Sequence, residues 1–271
     1  MSTWTTVGVA VVAGMFIFLR ILVHVTTKRE IESRKIMFSG PHERRKADLA
    51  EFPGLDVAMY ERTTAELEAL GFTVLGDVED MTLARTMVNP RAPGRYLLSA
   101  DGTVHAGILQ LRFSPLIRIM ATLFAGRNPD LVMMQMRFTD GSVLIAQRCS
   151  PKLVDHEPPE ITAVAVDPHH SLAEMHEAVT ALLAARPDLV PVPMRSLDDV
   201  LETDRYIDAL RREYRLKVGL HVAADLLRQG MDGQAAKQEI ARLNKYLVGD
   251  PEWDPALKGG DASPSGTENA P

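Results

Sequence analysis

Between Trp4 and Val25 the chain is almost unbroken apolar, and only Arg20 and His24 interrupt the run strongly, both near its end. A helix of that length rises about 33 Å, close to the roughly 30 Å hydrocarbon thickness of a bilayer, so the pattern predicts a single transmembrane helix. Trp4 suits one membrane interface. Arg20 can snorkel to the other, where Lys28 and Arg29 open a basic flank. No Lys or Arg precedes Trp4, so the positive-inside rule predicts the N-terminus outside and the body in the cytoplasm. A cleaved signal peptide would carry its basic residues before the apolar run, not after it.

Beyond this run the pattern changes to short alternating stretches. Residues 1–27 are read as the anchor, 28–60 as a basic juxtamembrane linker, and 61–195 as an antiparallel α+β domain. Residues 196–248 read as a helical region, and 249–271, rich in Gly, Pro, Asp and Ser, as a disordered tail. Strand-like runs fall at 72–75, 83–88, 95–99, 104–113, 131–138, 143–149 and 161–166. Asp101-Gly102 and Asp140-Gly141 each join two such runs, which is the sequence mark of a β-hairpin. On alternation, His105, Leu109, Leu111 and Phe113 share one strand face and Val132, Met134, Met136 and Phe138 share another. One buried sheet face is therefore expected, with helices covering it.

Helix signals punctuate the strands. Thr63 and Glu66 form a capping-box pattern ahead of a short helix over 64–70, which Gly71 stops. Pro115 to Ala125 is apolar nearly all round, too short to span a bilayer, and is expected to be core, with a membrane-dipping helix as its rival. Ser171 and Glu174 repeat the capping box. Ser196 opens a long helical stretch through Leu197, Val200, Leu201, Ile207, Leu210, Tyr214 and Leu220, with a break expected near Gly219. A last helix is expected from about 234 to 247. Hairpins followed by helices, with no regular strand-helix alternation, fit α+β.

Charge narrows the partners. Of the net −6, residues 1–46 contribute +5, which leaves −11 for the body. So acidic a body does not suit nucleic acid, which rewards clustered Lys and Arg, whereas the basic flank suits anionic lipid headgroups. The lone Cys149 cannot form an internal disulfide.

Candidate chemistry gathers in Asp155, His156, Glu157, Asp167, His169, His170, Glu174 and His176. Metal sites use these residue types, and His170 and Glu174 have the spacing that shares a helix face. No HExxH or CxxC accompanies them, and loop and capping roles account for Asp167 and Ser171, so no metal or cofactor is expected. A Cys149/His105 nucleophilic pair would require adjacent strands; buried structural roles fit both residues better. Alternation sends Met133 to the face opposite Met134 and Met136, against a methionine ligand cluster. GxGxxG, GxxxxGK[ST] and GxSxG are all missing. The function expected is a membrane-anchored cytoplasmic binding or interaction module for a protein, lipid headgroup or small ligand. The alternatives are a scaffold that self-associates or binds a partner through the helix after Ser196, and a membrane-anchored hydrolase using the cluster from Asp155 to His176.

Overall fold

The computed structural model of the chain describes residues 3–86, 91, 93–110, 130–149 and 155–258. Seven strands form one sheet: β1 (Arg44–Ala47), β2 (Phe72–Asp80), β3 (Pro93–Ser99), β4 (His105–Gln110), β5 (Asp130–Arg137), β6 (Val143–Arg148) and β7 (Ile161–Val166). Their spatial order is their chain order. Neighbours are antiparallel through β6, but β7 runs parallel to β6. The purely antiparallel expectation is corrected to a mixed sheet. A parallel pair needs a crossover, and residues 149–160 are long enough to supply one where a tight turn is not.

Six helices accompany the sheet among the described residues: α1 (Thr3–Met37), α2 (Val57–Ala69), α3 (Leu172–Ala184), α4 (Leu197–Val218), α5 (Ala223–Arg228) and α6 (Gly233–Asn244). No helix among them is long and apolar enough to cross a membrane. This overturns the transmembrane anchor assigned to Trp4–Val25. The apolar run is not an element by itself; it is one part of a 35-residue helix that continues through the charged residues after Val25. Its second half belongs to the folded body. Ile31 and Phe38 pack with Leu220, Leu243, Leu247 and Trp253, each almost wholly buried. The segment expected to be a linker is likewise structured, since it holds the end of α1, β1 and the start of α2. Of its basic residues, Arg34, Lys35, Arg44 and Arg45 are bound to Asp225, Asp250, Asp208 and Glu79 of the body, while Lys28 and Arg29, like Arg20 before them, are exposed.

Both sheet faces are buried, not one. On the first, Leu97, Ala106, Ile108, Val132, Met134 and Leu144 pack against Met59, Tyr60 and Leu67 of α2 and Leu172, Met175 and Val179 of α3. On the second, Val78, Leu98, Val143 and Ile145 meet Leu197, Val200, Leu201 and Ile207 of α4. Each of the Leu, Ile, Val and Met side chains among them contributes roughly 1.5–3 kcal/mol when fully buried. Register decides which residues face which layer. His105 pairs with Leu98 on one side and Gln135 on the other, and Gly107 pairs with Tyr96 and Met133. These residues face α4, so His105 lies opposite the apolar face formed by Met134 and Met136.

Local signals explain several boundaries. α2 starts at Val57 because Asp56 caps it by accepting from the Met59 N–H at 3.0 Å; the Thr63 box lies inside the helix, where Thr63 and Thr64 are buried. The Ser171/Glu174 box forms as the spacing predicts, Ser196 caps α4, and Gly219 at φ +104° ends it. In both hairpins the glycine alone adopts positive φ, and its N–H donates to the carbonyl three residues back, a type I turn with the extra residue at glycine. The expected strand over 83–88 is instead a short 3-10 turn, Leu83–Arg85, where described. Gly249–Lys258, expected in the disordered tail, is folded, with Trp253 at 3% exposure. The expected Pro115–Ala125 helix, Leu111, Phe113 and residues 259–271 lie outside the described residues.

Candidate functional site

α4 presents one stripe to the sheet. It begins with Leu197, Val200 and Leu201, then continues at the same spacing with Asp204, Ile207, Asp208 and Arg211, while Arg215, one turn on, leaves the sheet for Asp225 and the His156 carbonyl. The first half makes an apolar contact and the second half carries charge into the same interface. Asp204 and Asp208 are only 6% and 8% exposed. An isolated carboxylate at such burial costs several kcal/mol, so each is held by partners.

The partners come from the strands and from the turn before β1. Arg44 on β1 donates from Nη1 to Asp208 Oδ2 at 2.8 Å and places Nε 3.5 Å from Asp204 Oδ2. The Tyr96 hydroxyl donates to Asp204 Oδ2 at 2.8 Å, and the His42 backbone N–H donates to Asp208 Oδ2 at 3.0 Å. His42 Nδ1 lies 2.7 Å from Asp80 Oδ2 and Nε2 lies 3.0 Å from the Met37 carbonyl. Both neighbours are acceptors, so both ring nitrogens donate and the ring is an imidazolium. Burial works against that charge, but the Asp80 hydrogen bond and the Asp208 and Asp80 carboxylates outweigh it, raising the His42 pKa above the ordinary value. Burial would likewise raise the Asp204 carboxyl, yet the nearby His105, Arg44 and Tyr96 hold it below its ordinary range. The Tyr96 phenol is pushed well up, chiefly by burial and then by Asp204.

Two groups in this layer are incompletely served. His105, 1% exposed, brings Nε2 within 3.4 Å of Asp204 Oδ1, but the approach is too poorly aligned for a hydrogen bond, and neither ring nitrogen has a hydrogen-bond partner. The Gln135 side-chain oxygen is buried with no partner either. Such groups cost about 1–3 kcal/mol each when left unsatisfied.

Beside them the sheet–helix interface opens into a cavity of about 290 Å³. Its floor is where Gly94 and Gly107 sit on neighbouring strands. A Cβ built on Gly107 would meet only Met133 Cε, at 3.8 Å, so the missing side chain is what leaves the space. Val78, Leu109, Leu131, Met133 and Ile207 form apolar walls, and His42, Arg44, Asp80, Asp204, Asp208 and Arg211 form a polar side. A wider depression of about 630 Å³ lies between α1 and the turn at Asp250–Trp253. It is open to solvent, and its Lys35 and Asp250 pair with each other at 2.7 Å.

The structure disperses the cluster expected between Asp155 and His176. Asp155, His156 and Glu157 turn toward α1, α4 and α5. Asp155 faces Arg34 at 3.6 Å, the His156 N–H donates to Asp225 at 2.6 Å, and Glu157 accepts from Arg211 Nε at 2.9 Å. Asp225 also accepts from Arg215 at 2.7 Å, with His221 buried nearby. Asp167 accepts from the His169 N–H in the loop before α3, where His169 and His170 are exposed, and Glu174 is engaged with Ser171. His176 packs edge-on against Phe72 at 5.7 Å. Among the described residues, no three His, Cys, Asp or Glu side chains are placed to hold a metal ion. β5 separates His105 on β4 from β6, which Cys149 follows, so the two are not on adjacent strands.

No protein-family model matches this chain, and neither the curated proteins nor the solved structures yield a match. The site therefore stands on its own geometry. Asp204, Asp208 and Arg211 were missed because only the apolar members of the α4 stripe were read. Charged residues continuing that stripe were the available signal.

Proposed function

We propose that the protein is a binding module whose ligand occupies the cleft between the sheet and α4. What carries this reading is a partly open, largely apolar cavity with a polar wall, floored by Gly107, whose missing side chain leaves the space. Ligand sites combine apolar lining with a few convergent polar groups in this way. At about 290 Å³ the space suits a compact molecule. The two alternatives have less support. The apolar positions of α4 that a helix-mediated scaffold would present are buried against the protein's own sheet. The residues a hydrolase would use between Asp155 and His176 are dispersed, most of them in ion pairs, caps and ring contacts.

The test is a thermal-shift screen of the purified chain with small neutral, cationic and anionic compounds. A ligand at about a hundred times its Kd stabilises by about 2.7 kcal/mol, enough to read as a clear shift in Tm. Hits should lose their effect in Gly107→Leu, which fills the floor. Hits that stabilise this variant and the parent equally would place the ligand elsewhere and refute the proposal.

A further inference from the structure

One titratable ring ties the wall of the cleft together. Met37, the last residue of α1, lines the cavity with His42 and Asp80, and the His42 ring bridges the other two. Its Nδ1 lies 2.7 Å from Asp80 Oδ2 and its Nε2 lies 3.0 Å from the Met37 carbonyl oxygen. A carboxylate and a carbonyl only accept. Both contacts are therefore hydrogen bonds while the ring carries two protons, whereas a neutral ring has one N–H and turns a lone pair on the other oxygen. The carboxylate is the stronger acceptor, so Nδ1 keeps its proton and the Met37 bond is the one lost. Among the described residues, the charged groups around the ring are Asp80 of β2, Asp208 of α4, which accepts from the His42 N–H, and Arg44 of β1, 3.9 Å from the same Asp80 oxygen and shared with Asp204 and Asp208. Glu43, next in the chain, pairs with Arg85 at the surface. The 3-10 turn adds the Thr82 and Leu83 N–H groups, both donating to the other Asp80 oxygen.

Resting on the cleft reading, we propose that His42 regulates the cleft: its imidazolium latches the end of α1 to the sheet and keeps Met37 in the cavity wall, and its neutral form releases Met37 and loosens that wall. Burial opposes the charge, but the Asp80 hydrogen bond and the Asp208 and Asp80 carboxylates outweigh it, so release falls above the ordinary histidine range. The movement is local. Gly40, at φ +119°, turns the chain between Met37 and His42, and Arg212 Nη1 holds the Ser39 carbonyl at 2.6 Å in either state. Linkage makes the effect reciprocal: a ligand that needs the ordered wall binds the protonated form better and moves the release to higher pH.

The latch and the cleft are tested separately on the full chain. Ring 15N shifts followed from pH 6 to pH 9 should show His42 with two protons at the low end and loss of the Nε2 proton alone. Across that titration the amide-exchange protection factors of Phe38 and Ser39, which close the last turn of α1 on Arg34 and Ile36, should fall about tenfold, the size of one lost hydrogen bond. That of Ser99 in the β3–β4 hairpin should not change. Toluene, titrated by ligand-observed NMR, reports the cavity. It should bind about fivefold more weakly at pH 9 than at pH 6, as part of an apolar wall contact is lost, and equally at both in His42→Gln. A ring with one proton at pH 6, two protons kept to pH 9, protection that ignores the titration, or the same pH dependence of toluene in His42→Gln overturns the latch and leaves the cleft standing. Should His42→Gln fail to fold, the ring and exchange measurements on the parent decide. If toluene does not bind, or binds Gly107→Leu as well as the parent, the cleft reading falls and its regulation with it.

Discussion

His221 makes the protein acid-sensitive in a defined window. The ring is 8% exposed, its Nε2 has no partner, and it lies near the guanidiniums of Arg34 and Arg215, with Asp225 and Glu239 opposing them. Burial, then Arg34, pushes its pKa down to about 3, against about 6.5 in the unfolded chain. Between those values the unfolded state takes up a proton that the folded state refuses, so stability falls as pH falls. The slope approaches about 1.36 kcal/mol per pH unit. Integrated from pH 7 to pH 5, the loss from this residue is about 2 kcal/mol. Urea unfolding at the two pH values, on the parent and on His221→Gln, measures it by difference, because every other titrating group is common to both. The variant should be less stable or equal at pH 7 and should lose about 2 kcal/mol less on acidification. An identical loss in parent and variant would show that the histidine is accessible to protons in the folded state and would refute the reasoning.

His42 titrates in the opposite sense. Its folded pKa is raised, so its contribution is fully present below the unfolded value of about 6.5 and is lost as pH rises through the folded value; unfolding from pH 6.5 upward should show a decline that His42→Gln flattens. Gly102→Ala should destabilise by more than the roughly 1 kcal/mol of a left-handed alanine. Gly102 holds φ +72°, and the added Cβ would stand 2.5 Å from the Met194 carbonyl oxygen, so a variant within about 0.5 kcal/mol of the parent in denaturant unfolding would contradict the close approach.

Much of the sheet was legible because its signals are local. Asp101-Gly102 and Asp140-Gly141 fix two hairpins through positive φ at one residue each, and the Ser171/Glu174 box needs only four residues. The parallel pairing of β7 was not legible, since no local turn signal reports the direction in which β7 lies beside β6. Nor was the fate of α1. The apolar run from Trp4 to Val25 was weighed by its own length and hydropathy, while the helix that forms extends to Met37 and is tied to the body through Ile31, Phe38 and the Arg34–Asp225 pair. Trp253 shows the same limit from the other end: a buried indole, with backbone N–H groups donating to Asp250 and Asp254, lies in a segment whose composition reads as tail.

The cleft was the least legible feature, and the reason is geometric. Its polar wall draws His42 from the turn before β1, Asp80 from β2, Tyr96 from β3, Gln135 from β5 and Asp204 from α4, spread across more than 160 residues of chain. No spacing rule links them; the register Leu98–His105–Gln135 and Tyr96–Gly107–Met133 puts Tyr96 and Gln135 on one face, and the packing of α4 and of the turn before β1 on that face supplies the rest. The densest run of titratable residues, around His169 and His170, holds side chains that are neighbours in sequence and diverge in space. The more informative pattern was a conflict within a single element. On α4 the stripe that buries Leu197, Val200 and Ile207 also carries Asp204 and Asp208. A helix can bury carboxylates on its core face only where other elements supply cations and hydroxyls to meet them. Such a stripe therefore announces a polar interior whose partners lie elsewhere in the chain, and it is there that a site should be sought.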